Sequence, residues 1–150
     1  MATKISIAEF LSQKKIAVAG VSHTGNKFSN VVYKELKSKG YRLFPVNPNA
    51  ENIFGESCYP NLRSLPEKVE GVLVITKPTA SENIVREAHA LGIKHVWIQQ
   101  GAESDGAIRF CKENGINVIH GECILMFAEP AAFFHRAHRW VWGVFGKLPK

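Results

Sequence analysis

Five short apolar runs, separated by stretches long enough for a helix, set the limits on what this chain can fold into. They cover residues 16–20, 41–46, 72–76, 95–99 and 117–119. Each is apolar at most positions rather than at alternate ones, as expected of strands buried on both faces of a parallel sheet. Between them, residues 27–39, 79–91 and 103–114 have helical character, and Gly40, Gly92 and Gly115 follow directly, where a left-handed cap is needed. Val31, Val32 and Leu36, and then Ile84, Ala88 and Leu91, recur at helical spacing. Ser6-x-x-Glu9 is a capping-box pattern that predicts a short helix at the start. Repeated strand–helix–strand units in one small chain imply a doubly wound α/β sheet of five to six mostly parallel strands, with expected order 3-2-1-4-5-6. The sixth strand would be a short edge strand at 57–59, inside the long Pro-rich connection of residues 47–66.

The 150 residues are 45% hydrophobic and 21% charged, which suits one ordinary soluble domain and excludes disorder, collagen and a disulfide scaffold. Three cysteines, Cys58, Cys111 and Cys123, form no C-x-x-C pair, and no secretory signal or membrane span is visible. The expectation is a cytoplasmic protein with reduced thiols. The net charge is +6, but residues 130–150 carry Arg136, Arg139, Lys147 and Lys150 and no acid, so the body is near neutral. That argues against a nucleic-acid footprint, which needs basic residues clustered on one face. In this same segment Phe133, Phe134, Ala137, Trp140, Val141, Val144 and Phe145 recur at helical spacing, with Arg136 and Arg139 on the other side. The expected organisation is a domain over 1–129 and a C-terminal amphipathic helix within 130–150. That helix packs on the sheet or a second subunit, or contacts a protein partner or membrane surface through residues 130–146.

The chemistry gathers at the carboxyl ends of the expected strands. The first strand leads into Gly20-Val21-Ser22-His23-Thr24-Gly25-Asn26-Lys27, spaced G-x-S-x-x-G, a variant of the dinucleotide fingerprint. A glycine turn feeding a helix N-terminus, with its free N–H groups and positive dipole end, is suited to a phosphate. The second strand ends Pro45-Val46-Asn47, without the acid that would bind the ribose hydroxyls of NAD. Those residues offer an apolar wall and an amide for a purine ring, or simply a proline-stiffened strand exit. Lys77-Pro78 follows the next strand, beside the Gly20 turn in the expected order, where a lysine serves an anion. Gln99-Gln100-Gly101 ends the following one and offers hydrogen bonds to a polar group. There is no G-x-S-x-G elbow and no H-E-x-x-H. His120-x-x-Cys123 leaves room for a Cys–His nucleophile, and together with His135-x-x-His138 for a zinc site, but structural roles explain both pairs. No catalytic or metal residue is assigned.

Five segments taken together, IAVAGVS at 16–22, GYRLFPVNPNAENIFGESCYPNL at 40–62, VLVITKP at 72–78, VWIQQGA at 96–102 and ECI at 122–124, resemble the small stand-alone CoA-binding proteins. A related domain begins the alpha subunit of succinyl-CoA synthetase. The likeness covers about residues 12–127, and the loop 23–26 and the segment after Glu129 depart from it. The resemblance implies a Rossmann-like fold and a coenzyme A or acyl-CoA site built from the Gly20-Val21-Ser22 turn, the Pro45-Val46-Asn47 wall and Lys77-Pro78, with Lys27 as a phosphate partner. Asn26, Gln100 and Gly101 complete the candidate set. It implies a binding module without full catalytic machinery. The alternatives are an NAD(P)-dependent oxidoreductase on the same sheet and a nucleotide-sensing interaction module.

Overall fold

The computed structural model describes residues 4–22 and 27–127. Five parallel strands form the sheet: β1 (Lys15–Ala19), β2 (Arg42–Val46), β5 (Gly71–Val74), β6 (His95–Gln99) and β7 (Asn117–Glu122), in spatial order β2-β1-β5-β6-β7. The long connection after β2 holds a two-stranded antiparallel ribbon, β3 (Asn52–Ile53) and β4 (Glu56–Ser57). The expected edge strand at 57–59 shrinks to one parallel bridge between Tyr59 and Val46. That bridge occupies the outermost place of the 3-2-1-4-5-6 order, so the order holds with its third member reduced to a single residue.

Side chains along the strands alternate between two cores, one on each face. From β1, Ile16 and Val18 join Leu73, Trp97 and Ile119 on one face, while Ala17 and Ala19 join Val72, Val74, Val96 and Ile98 on the other. Both sets are buried, which is why these runs read as continuously apolar. Helices α1 (Lys4–Leu11) and α2 (Phe28–Ser38) cover the first face, and α3 (Pro78–Ala90) and α4 (Asp105–Glu113) the second. Trp97 is fully buried, with its ring 5.5 Å from that of Phe10 of α1 and 6.0 Å from that of Phe127. Phe10 fits there because β5 begins with Gly71, where a Cβ would lie 3.2 Å from the Phe10 ring.

The three crossover helices stop in the same way. Tyr41, Ile93 and Ile116 each donate a backbone N–H to the residue five positions earlier, Leu36, Ala88 and Cys111, at 2.9–3.3 Å. Each pair is also buried in one core, so the turn after the intervening glycine is fixed by both a hydrogen bond and an apolar contact.

Some expectations need correction. The first helix is already formed at Lys4, so Ser6 lies inside it rather than at its cap; the Ser6 carbonyl accepts from Asn117 Nδ2 at 3.3 Å. Val31 and Leu91 have helical spacing but face solvent. The expected C-terminal helix, with its domain boundary, and Asn26 lie outside the described residues. Among the described residues no helix is long and apolar enough to cross a membrane.

Gly20 is the tightest point of the sheet. It sits at φ +104°, and a Cβ there would lie 2.7 Å from the Ile75 carbonyl oxygen. Gly40, at φ +96°, has open space around it. Gly40→Ala is therefore expected to cost about 1–2 kcal/mol for the backbone conformation alone, and Gly20→Ala at least about 3 kcal/mol because strain and backbone collision add. Urea denaturation of the two variants checks this, and equal losses would contradict the close approach.

Candidate functional site

The strand order places the topological switch between β1 and β5, where one chain path leaves for β2 and the next returns on the other side. The carboxyl ends of these strands bring together the 20–22 turn, the end of β2 and the 75–78 segment. Gly20 N–H donates to the Val46 carbonyl at 2.9 Å, and Ile75 N–H to the Ala19 carbonyl at 2.8 Å. Lys77 thus follows directly on the residues that touch Gly20.

The turn after β1 is held from α2 by two polar residues. Ser22 N–H donates to Ser29 Oγ at 3.1 Å, and Asn30 Nδ2 donates to the Ser22 carbonyl at 2.7 Å. Asn30 Oδ1 accepts from Lys27 N–H at 3.0 Å, so one buried carboxamide ties together both flanks of the loop. The sequence signal for this is that Ser29 and Asn30 are the polar members of the helix face that also buries Val32, Tyr33 and Leu36. Polar groups there must find partners within the fold.

Asn47 has a positioning role of the same kind. Its Nδ2 donates to the Val21 carbonyl at 2.8 Å and its Oδ1 accepts from Asn49 N–H at 2.8 Å. One N–H remains to face a ligand, and the oxygen is engaged. Pro45 and Val46 are buried, with the Pro45 carbonyl accepting from Tyr59 N–H and the Tyr59 carbonyl accepting from Asn47 N–H, both at 2.9 Å. Next to this exit, Cys58 Sγ lies 3.8 Å from the Asn47 carbonyl, and burial pushes its thiol up. Tyr33 donates to Glu56 Oε1 at 2.8 Å, and burial pushes its hydroxyl up to about 12. Glu56 also pairs with Lys37, so the β3–β4 ribbon is fastened to α2.

On the other face, α3 starts with Lys77 at the cap position and Pro78 as its first residue, and no side chain caps it. Helix α2 likewise starts without a cap from the Lys27 side chain, although Asn30 Oδ1 accepts the Lys27 N–H, whereas α4 is capped by Ser104, whose hydroxyl accepts from Ala107 N–H at 3.0 Å. Lys27 and Lys77 are both exposed. Buried Ser81 links the Lys77 segment to the end of β6: its Oγ lies 2.7 Å from the Ala102 carbonyl and 3.0 Å from Thr76 Oγ1. A hydroxyl carries one proton, so Ser81 donates to Ala102 and Thr76 donates to Ser81. Gln100 is exposed, its N–H donating to the Glu122 carbonyl at 3.2 Å. Gly101, at φ +98°, gives its N–H to Glu103 Oε1 at 3.0 Å, so that donor is engaged.

Gln99 and Glu122 close the far side of this edge. Gln99 is buried, and its Oε1 accepts from Ile124 N–H at 3.1 Å, a structural task. The pairing of β6 with β7 slips by one residue at Gly121, so Gln99 faces Glu122 while Ile98 faces His120. Glu103 bridges the slip, its second oxygen accepting from Gly121 N–H at 2.9 Å. Glu122 is 5% exposed, and its Oε2 has no hydrogen-bond partner among the described residues. Burial also holds the half-buried His120 below its usual pKa, while Cys123 is buried. His135 and His138, the other half of the four-ligand zinc set, lie outside the described residues.

Burial raises the Glu122 carboxyl above the usual carboxylate range. The folded state therefore favours the protonated acid. Its charge costs nothing below the unfolded carboxylate pKa; the cost grows as pH rises through the raised pKa and stays constant above it. Glu122→Gln is expected to raise the melting midpoint by about 3 °C at pH 8, with the gain gone near pH 4, about where an unfolded glutamate titrates. An equal gain at both pH values would contradict a buried charge.

A separate cleft of about 380 Å³, lined by Leu62, Leu65, Pro66, Val69, Leu91 and Ile93, opens at the amino end of the sheet. Its acid, Glu67, is paired with Lys15 and Arg42, which hold its carboxyl below the usual range. The crevice rule for open α/β sheets puts ligands at the other end.

A family model described as a CoA binding domain matches residues 14–129, a span containing every candidate position from Gly20 to Gly101. The uncharacterized protein YneT of Bacillus subtilis is 29% identical over 123 residues, covering 81% of this chain and 91% of that protein. The ADP-forming acetate–CoA ligase II of Archaeoglobus fulgidus is 30% identical over 118 residues, covering 70% of this chain but 17% of the ligase. Among solved structures, a hypothetical protein from Pyrococcus horikoshii matches with a TM-score of 0.77 at 34% identity, covering 82% of this chain and 87% of its own. A conserved hypothetical protein from Pyrococcus furiosus matches at 0.70 and 38%, covering 74% and 96%. The resemblance drawn from the five sequence segments is thus met by both sequence and structure, and the chain belongs to the CoA-binding domain family.

Proposed function

We propose that the carboxyl edge at β1 and β5 binds coenzyme A or an acyl-CoA, and that the chain acts as a binding module rather than as a complete ligase. The observation that carries this reading is the pair of helix starts at the switch point. Helices α2 and α3 begin on opposite faces of the sheet, each with an exposed lysine at its cap position whose side chain does not cap the helix. Two positive helix ends and two lysines suit a ligand with several phosphates, and CoA carries a pyrophosphate and a 3′-phosphate.

In this reading the Gly20-Val21-Ser22 turn and the α2 N-terminus hold the pyrophosphate, with Asn26 and Lys27 beside it. Pro45 and Val46 wall the adenine, and Asn47 offers its one remaining N–H. Lys77 and Pro78 border the phosphates from the α3 side, and Gln100 and Gly101 line the path toward the pantetheine arm. Asn30 and Asn47 act as positioning residues, since their amides fix the turn. The end of β2 carries no Asp or Glu to bind the ribose hydroxyls, which weighs against the nicotinamide alternative.

CoA at 100 times its dissociation constant is expected to add about 2.7 kcal/mol of stability, read as a raised melting midpoint, and NAD is expected to add none. Lys27→Ala and Lys77→Ala change exposed side chains, so the fold should persist. Calorimetric titration should show CoA binding weakened about tenfold by each, with a flatter salt dependence. Unchanged affinity in the double variant would overturn this site, and a midpoint raised by NAD alone would overturn the ligand.

A further inference from the structure

One carboxylate joins two glycine turns at the far end of the ligand edge. Glu103 Oε1 accepts from Gly101 N–H at 3.0 Å, and its Oε2 accepts from Gly121 N–H at 2.9 Å. Gly101 lies in the turn after β6, and Gly121 is the extra residue where β7 slips against β6. Both have positive φ, +98° and +76°, and a Cβ at either would meet nothing within 4 Å. The two turns thus present open backbone that a ligand can approach closely. The turn after β6 is also held from its own side. Ala102 N–H donates to the Gln99 carbonyl at 2.8 Å, the Ala102 carbonyl accepts from Ser81, and Ser104 caps α4. Glu103 is the side chain that ties this turn to the slip on β7.

We propose, resting on the CoA reading of this edge, that Glu103 is a positioning residue for the pantetheine arm: it holds Gly101 and Gly121 as one open ledge along which the arm runs. Neighbouring strands lie about 4.8 Å apart, so in the order β1-β5-β6-β7 the end of β6 is about 10 Å from that of β1, and the end of β7 about 14 Å. The pantoyl, β-alanyl and cysteamine units of the arm match about four extended residues, or about 13 Å. An arm that leaves phosphates at the switch point therefore reaches both glycines. A chain with many rotatable bonds costs entropy to immobilise, so a ledge already in place lowers the cost of binding it. Two charge-assisted hydrogen bonds from one carboxylate keep the ledge in place. Glutamine at this position offers one oxygen instead of two, and alanine none.

Calorimetric titration of the full chain with two ligands tests this: CoA, and 3′-phosphoadenosine 5′-diphosphate, which is its nucleotide end without the arm. Glu103→Ala is expected to weaken CoA binding about tenfold and Glu103→Gln by less, while affinity for the nucleotide stays unchanged in both. At 0.15 M salt the charge lost from residue 103, about 10 Å from the phosphates, is largely screened from them. Unchanged nucleotide binding also shows that each variant is folded. Equal losses for the two ligands would overturn the proposal in favour of a general structural role, and undiminished CoA affinity in Glu103→Ala would overturn it outright. A wild-type chain that binds the nucleotide as tightly as CoA would overturn it while leaving the phosphate site standing. A wild-type chain that binds neither would overturn the CoA reading, and this role with it.

Discussion

The structure depends on one close approach, that of Gly20 to the backbone at the end of β5. There the chain leaves β1 at positive φ with no room for a side chain, since a Cβ on Gly20 would lie 2.7 Å from the Ile75 carbonyl oxygen. This contact sets how near the 20–22 turn lies to the 75–78 segment. It thereby sets how near the start of α2 lies to the start of α3. A glycine in a phosphate turn is usually explained by ligand approach. Here the sheet itself requires it, so replacing Gly20 tests the fold before it tests the ligand.

Around that point, polar side chains hold loops in place rather than facing outward. Asn30 joins Ser22 to Lys27, Asn47 joins Val21 to Asn49, Ser81 joins Thr76 to Ala102, and Gln99 fixes Ile124. These bonds leave Lys27 and Lys77, at the starts of two helices, exposed to solvent on this edge. The edge is thus rigid where it is neutral and open where it is positive, which favours an anionic ligand without a large rearrangement.

The sequence revealed the sheet because its strands are buried on both faces, and each crossover helix ends at a glycine with a buried residue after it. It revealed the location of the site for the same reason: ligand edges follow from strand order. Other features were less legible because they depend on contacts between distant residues. Gly121 lies beyond the apolar run 117–119 and is the extra residue that sets Glu122 opposite Gln99. Asn47 reads as a ligand amide, yet Val21 takes one of its two N–H donors and Asn49 one of its two lone pairs. Val31 fits the apolar spacing of α2 but lies just off the buried face, because the true stripe includes Ser29 and Asn30.

The central claim is that the ligand edge lies between the α2 and α3 starts and not in the cleft at the amino end of the sheet. Backbone amide chemical-shift mapping during a CoA titration tests it most directly, since each N–H reports its own surroundings. Saturable shifts are expected at Gly20, Val21 and Ser22, at Lys27, Phe28 and Ser29, and at Lys77 and Thr79. Shifts centred on Leu62, Val69 and Ile93, or no saturable shift at the β1 and β5 ends, would contradict it.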